Sequence, residues 1–293
     1  MKTILEILHE KKTLIADGAM GSLLMAKGMK PGDCPELLNL EKPDIPKQVA
    51  AEYFEAGAQI IQTNTFGGSS IKLGEFGVAD KTEKINFEAA RILKSVVGDN
   101  AYVSGSVGPT GKMLEPFGES TESEMLESFE PQINGLVKGG ADLICIETMS
   151  DLAEAICAIK AVKSVDAKIP IAATMTFNKM GDDYFTMMGL SIEAAVKGLS
   201  DAGADIIGSN CGNGIDNMVE IAKIIIKFTG KPILIQSNAG LPEVVEGKLH
   251  YPESPQYFAE RAVKMFDLGV SIVGGCCGTS PEYIAAIKKL LNN

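Results

Sequence analysis

Two adjacent thiols lie in the run Gly274-Gly275-Cys276-Cys277-Gly278-Thr279. A third, Cys211, lies in Asn210-Cys211-Gly212, 65 positions earlier (276 − 211). Adjacent cysteines can reach one ion only where the backbone turns sharply between them. The glycines around the pair supply that freedom, because glycine reaches backbone angles closed to other residues. Three soft sulfur ligands suit zinc and leave a fourth coordination position open, the mark of a catalytic rather than a structural site. Three thiolates also give the ion much electron density, so it activates water poorly. It can still hold an incoming thiol as thiolate at neutral pH. The pattern points to alkyl transfer onto a thiol rather than to hydrolysis.

Two carboxylates close apolar runs, Asp17 in Leu14-Ile15-Ala16-Asp17-Gly18 and Glu147 in Leu143-Ile144-Cys145-Ile146-Glu147-Thr148. Either can serve merely to cap a helix. Paired on one rim with three thiols, they suit a substrate ammonium group, and backbone amides near Gly18 or Gly274 suit a carboxylate. Together these groups describe a small amino acid that carries a thiol. The glycine run also admits a phosphate-cradling reading, since barrels bind phosphate after their last strands. Cys34, Cys145 and Cys157 read as small apolar residues. The only two histidines, His9 and His250, sit in polar, surface-like contexts, which argues against a histidine base.

These groups need a frame that gathers them. Eight short apolar runs, most ending in Gly, Asn, Thr or Ser, recur along the chain at 14–18, 60–64, 102–106, 143–148, 171–175, 206–211, 233–238 and 270–275. Near-continuous apolar runs of this length predict strands buried on both faces of a parallel sheet. The segments between read as helices. Ser191, Ser254-Pro255 and Ser280-Pro281 start three of them, and Gly57, Gly140, Gly203 and Gly269 end others. Eight strand–helix units predict an α/β fold, a TIM (β/α)8 barrel in one domain over 1–293. The alternative is an open doubly wound sheet, but no G-x-G-x-x-G opens a helix. In a barrel the strand ends share one rim, so Asp17, Glu147, Asn210, Cys211 and the Cys276–Cys277 pair would meet there. The longest connection, Gly108 to about Thr121, is a candidate active-site loop.

A chain of 293 residues with 45% hydrophobic content can bury a large core. Its net charge of −11 argues against nucleic acid and anionic membrane surfaces as partners. No apolar run approaches the roughly 20 residues that span a bilayer. The start, Met1-Lys2-Thr3-Ile4-Leu5-Glu6, lacks the apolar stretch of a signal peptide. Six cysteines in a chain this long do not read as a disulfide framework. A reducing, cytoplasmic setting is expected.

These motifs, with Thr63-Asn64-Thr65-Phe66, Gly108-Pro109-Thr110-Gly111 and Asn238-Ala239-Gly240, resemble the homocysteine S-methyltransferase family over nearly the whole chain. Within the family the chain looks most like the homocysteine-binding module of the cobalamin-dependent methionine synthases. The resemblance implies a zinc-bearing barrel, one ion per chain, that methylates homocysteine to methionine. It places the zinc ligands on Cys211, Cys276 and Cys277, and the amino-acid contacts on Asp17, Gly18, Glu147 and Asn210. The chain ends at Asn293, soon after the last expected helix, so the methyl group is expected from a separate methylated corrinoid protein or methylcobalamin. S-methylmethionine is an alternative donor. Transfer from another methylated substrate to a corrinoid protein is an alternative direction, and a non-catalytic subunit that docks a corrinoid protein is the rival from outside enzymology.

Overall fold

A computed structural model describes residues 1–245 and 248–292; residues 246, 247 and Asn293 lie outside it. In chain order the helices are α1 Ile4–His9, α2 Met20–Ala26, α3 Leu38–Glu41, α4 Asp44–Ala56, α5 Ser70–Gly74, α6 Thr82–Val97, α7 Glu122–Gly139, α8 Leu152–Val165, α9 Ile192–Ala202, α10 Ile215–Phe228, α11 Pro255–Asp267 and α12 Pro281–Leu291. The strands are β1 Leu14–Ile15, β2 Ile60–Gln62, β3 Tyr102–Val107, β4 Leu143–Met149, β5 Ile171–Met175, β6 Asn178–Met180, β7 Asp183–Phe185, β8 Ile206–Asn210, β9 Ile233–Ser237, β10 Glu243–Val245, β11 Lys248–His250 and β12 Ile272–Gly275.

All eight expected runs form strands of one parallel sheet, ordered β1-β12-β9-β8-β5-β4-β3-β2. A parallel bridge from Ala16 to Ile60 joins its two ends, and the Asp17 amide donates to Ile60 O at 3.0 Å beside it. The sheet thereby curls round on itself as a TIM barrel, with a helix returning after each strand. Gly57, Gly140 and Gly203 end α4, α7 and α9 in the left-handed conformation. Ser191 and Ser254 cap α9 and α11 through their hydroxyls, whereas Ser280 makes no such bond at α12.

Alternation along the strands divides the core. Ile15, Ile61, Val103, Ile144, Ala173, Ile207, Ile235 and Val273 face the helices in the larger apolar cluster. Leu14, Ala16, Ile60, Tyr102, Leu143, Cys145, Ala172, Ile206, Leu234 and Ile272 fill the barrel interior. Ile4 and Leu8 of α1 join this inner cluster and close the barrel's floor. A reciprocal capping box between Thr3 and Glu6 starts α1, and the Tyr102 hydroxyl donates to Lys2 O at 2.8 Å, fastening the plug to β3.

Two hairpins were not anticipated. Short antiparallel hairpins, β6–β7 and β10–β11, follow β5 and β9 on the side of the barrel where the strands end. The 108–121 connection also leaves β3 on that side. It carries a Leu114–Ser120 bridge and ends at Thr121, which caps α7 reciprocally with Glu124.

Candidate metal centre and substrate pocket

Cys211 is the first residue after β8 and has φ 60, a left-handed conformation uncommon outside glycine. Its amide donates to Gln236 O at 3.0 Å and its carbonyl accepts from the Asn213 amide at 2.8 Å. The turn is therefore held from both sides, which is how such a conformation persists. Cys276 follows β12. Its amide donates to Ser237 O at 2.6 Å, and its carbonyl accepts both the amide and the hydroxyl of Thr279, at 3.1 and 2.7 Å. The Cys277 carbonyl accepts from the Ala239 amide at 3.0 Å. These bonds bring the three Sγ atoms within 4.8 Å of one another, with Cys211 and Cys277 3.9 Å apart. Sulfurs bound at about 2.3 Å to a tetrahedral zinc lie about 3.8 Å apart. The donor set and its spacing thus fit the ion. Cys34, Cys145 and Cys157 are buried, away from this cluster. Hydrogen bonds from Cys276 and then Cys277 hold the Cys211 thiol well below its ordinary value, while Cys276 is raised.

Beneath the thiols the inward positions turn from apolar to polar. Gln62, Ser106, Glu147, Thr174, Asn210 and Gln236 form a buried or nearly buried layer. Glu147 is its hub. Its Oε1 accepts from Ser106 Oγ at 2.5 Å and from Gln62 Nε2 at 3.0 Å, and its Oε2 accepts from Asn210 Nδ2 at 3.4 Å. Asn210 Oδ1 in turn accepts from the Thr148 amide and Thr174 Oγ1, both at 2.7 Å. Gln236 Nε2 donates to Gln62 Oε1 at 3.2 Å. The register of β4 on β5 slips between Ile146 and Met149, and Thr148 has φ 61. This bulge sets the direction of Glu147.

Asp17 is buried beside the layer. Its Oδ2 accepts from the Gln62 amide at 2.8 Å, while its Oδ1 has no partner, and neither do Gln236 Oε1 and Asn238 Oδ1. Orphaned buried acceptors call for a donor. An ammonium brings three. Burial, with Glu147 adding to it, raises Asp17 to about 8, and burial, opposed by Ser106, raises Glu147 to about 7. Two carboxyls poised near neutrality ionise fully when a cation arrives between them. Gly18 lies where a Cβ would stand 2.9 Å from Tyr53 Oη, and that hydroxyl donates to Ala19 O at 2.9 Å. The structure therefore brings Asp17, Gly18, Glu147, Asn210 and the three thiols to one rim. Sequence reading missed Gln62, Ser106, Thr174 and Gln236, uncharged polar residues at period-two positions on the predicted strands.

A profile described as homocysteine S-methyltransferase matches residues 14–291. The methionine synthase of Mycobacterium tuberculosis is 31% identical over 307 residues, covering 99% of this chain and 25% of that protein. That of Mycobacterium leprae is 31% identical over 301 residues, covering 97% and 24%. The chain spans about a quarter of the length of these curated relatives. Among solved structures, the homocysteine methyltransferase MmuM from Escherichia coli superposes in its metallated form with a TM-score of 0.80 at 20% identity, covering 97% of this chain and 98% of that one. Its oxidised form gives 0.81 at 21%, covering 99% and 100%. At that identity the likeness shows the fold alone.

Proposed function

The chain belongs to the homocysteine S-methyltransferase family, and from that premise we propose that it methylates the sulfur of homocysteine at a zinc centre held by Cys211, Cys276 and Cys277. The observation that carries this reading is the meeting, on one barrel rim, of three sulfurs within 4.8 Å and two buried carboxyls, one of which, Asp17, has an oxygen without a partner. One zinc ion there supplies positive charge that keeps an incoming thiol ionised at neutral pH.

The chain's own residues do the rest. Asp17 Oδ1 and the Glu147 carboxylate take the substrate ammonium, and the amide at Gly18 lies beside it for the carboxylate. Asn210 holds Glu147 and Thr148 in place. With its amino group fixed, homocysteine presents sulfur towards the thiols and its lone pair to the open mouth. The new S–CH3 bond forms in line as the bond from methyl to donor breaks, and the electron pair of that bond leaves with the donor. Positioning and thiol ionisation supply the rate, without a histidine base.

A corrinoid, carried by a separate protein or supplied as methylcobalamin, is the donor this surface suits. Met113, Phe117, Met180, Met187, Leu241 and Val244 stand exposed on the connections that surround the mouth. Such side chains suit a broad partner better than a small zwitterion such as S-methylmethionine. The deciding experiment couples metal analysis to methyl transfer. Protein purified without added metal should carry about one zinc per chain. Cys211→Ala, Cys276→Ala or Cys277→Ala should lose most of it together with methionine formation, and Cys145→Ala should keep both. Equal zinc in the wild type and all three rim variants would sink the proposal.

A further inference from the structure

The three thiols hang on one short mount, the buried run Ser237-Asn238-Ala239 at the end of β9. The Cys276 amide donates to Ser237 O at 2.6 Å, and the Cys277 carbonyl accepts the Ala239 amide at 3.0 Å. Cys211 arrives from β8. Its amide bonds to Gln236 O, but its carbonyl reaches the mount through an intermediary, Asn213. The Asn213 amide donates to Cys211 O at 2.8 Å, and the Asn213 carbonyl accepts the Asn238 amide at 3.1 Å and Ser237 Oγ at 3.4 Å. Asn213 stands between Gly212 and Gly214, so the backbone on either side is pliable and does not fix it. Its side chain does. Asn213 is 4% exposed, its Nδ2 donates to Phe177 O at 2.6 Å between β5 and β6, and its Oδ1 accepts from Asn217 Nδ2 at 3.2 Å in the first turn of α10.

Resting on the zinc reading above, we propose that Asn213 is a positioning residue of the metal centre: its side-chain amide, tied to Phe177 and Asn217, sets where Cys211 stands relative to the Cys276–Cys277 pair. Cys211 has φ 60, a conformation that persists only while its surroundings impose it. With the Asn213 side chain released, the turn can relax and carry the sulfur away from the other two. The ion then has to gather its ligands as it binds, and affinity falls by the cost of that ordering. Asparagine suits the task because it donates to Phe177 O and accepts from Asn217 at once. A carboxylate of the same shape would turn an oxygen towards the Phe177 carbonyl.

Asn213→Asp and Asn217→Ala test this, the first by removing the donor to Phe177 O and the second by removing the bond to α10. Cobalt(II) is the probe, and each protein is measured at a temperature where circular dichroism shows it folded, so global instability does not enter. Wild type should bind one ion per chain with a sulfur-to-cobalt charge-transfer band. Asn213→Asp should keep the band but hold the ion about 10–100-fold more weakly against a competing chelator, the usual effect of losing a partner that orients a ligand. Asn217→Ala should weaken it in the same direction by less. Wild-type cobalt affinity in folded Asn213→Asp would overturn the proposal and leave the side chain a loop-packing role. Should that variant not fold, wild-type affinity in Asn217→Ala would overturn it equally. A wild-type protein that takes up cobalt without any sulfur charge-transfer band would overturn the zinc reading itself, and the two failures are separate observations.

Discussion

Asp17 and Glu147 are carboxyls placed where charge is hard to keep, and their raised values, about 8 and about 7, set the pH behaviour of the site. A group whose folded value lies above its unfolded one contributes stability at low pH and loses it as pH rises through the folded value. The ligand-free protein should therefore lose thermal stability as pH rises from about 5 to about 8. Asp17→Asn should flatten that slope in melting curves taken across the range. A substrate ammonium reverses the balance by favouring both ionised carboxylates. Homocysteine binding at pH 7 should release more than the roughly one proton that the thiol alone accounts for. Calorimetry in buffers of different ionisation enthalpy measures the count, and release of one proton or fewer would contradict the carboxyl assignment. Glu147→Gln separates orientation from thiol activation. It should weaken homocysteine by about 1.5–3 kcal/mol, the worth of a hydrogen bond to a charged group, while a thiol without an amino group loses little and zinc content stays. Loss of zinc would make Glu147 a support of the metal instead. The thiol cluster at this scale was readable because thiols, carboxylates and glycines announce themselves by type. Gln62, Ser106 and Gln236 did not, since polar uncharged residues on a strand look alike until the register shows that they touch Glu147 or one another.

The strands carry the site through two irregularities and one omission. Thr148 and Cys211, at φ 61 and φ 60, break the regular path of the chain where β4 bulges and where β8 ends. Neither residue type suggests a left-handed turn, so these bends were invisible in the sequence, although the residues they aim were named. The omission is Gly208, on the inner face of β8, where a Cβ would fall on the Leu234 carbonyl of β9. Here glycine lets two paired strands approach closely. Gly208→Ala should cost about 1–3 kcal/mol, as overpacking does, read as a lower midpoint in denaturant unfolding. An unchanged midpoint would mean that the strand pair yields easily. All eight barrel strands were legible because burial on both faces demands unbroken apolar runs. The β6–β7 and β10–β11 hairpins were not, because strands of three residues are too short to carry a periodicity.

At the scale of the molecule, no helix among the described residues is long and apolar enough to cross a membrane. The net charge is −11. Exposed Phe117, Met187, Leu241 and Val244 nevertheless stand around the mouth, in the loops that follow the barrel strands. If a corrinoid is the donor, homocysteine should be methylated faster from methylcobalamin than from S-methylmethionine in parallel assays, and the reverse order would favour the small-molecule alternative. Phe117→Ser with Met187→Ser should leave zinc content and homocysteine affinity intact, because both side chains stand largely in solvent.

The helix that stops the barrel's floor has a kinetic corollary. Among the described residues, Ile4 and Leu8 seal the barrel's floor, so the pocket opens by one door, at the rim where the strands end. On the proposed reading, homocysteine with its ammonium held deepest would have to enter before the donor covers the opening, and methionine would leave only after the spent donor has moved off. Traffic through one door enforces an order: amino acid in first, donor second, donor out third, product last. Product-inhibition patterns read that order directly. Methionine should compete with homocysteine and not with the donor, and a random pattern would mean that the floor opens during turnover.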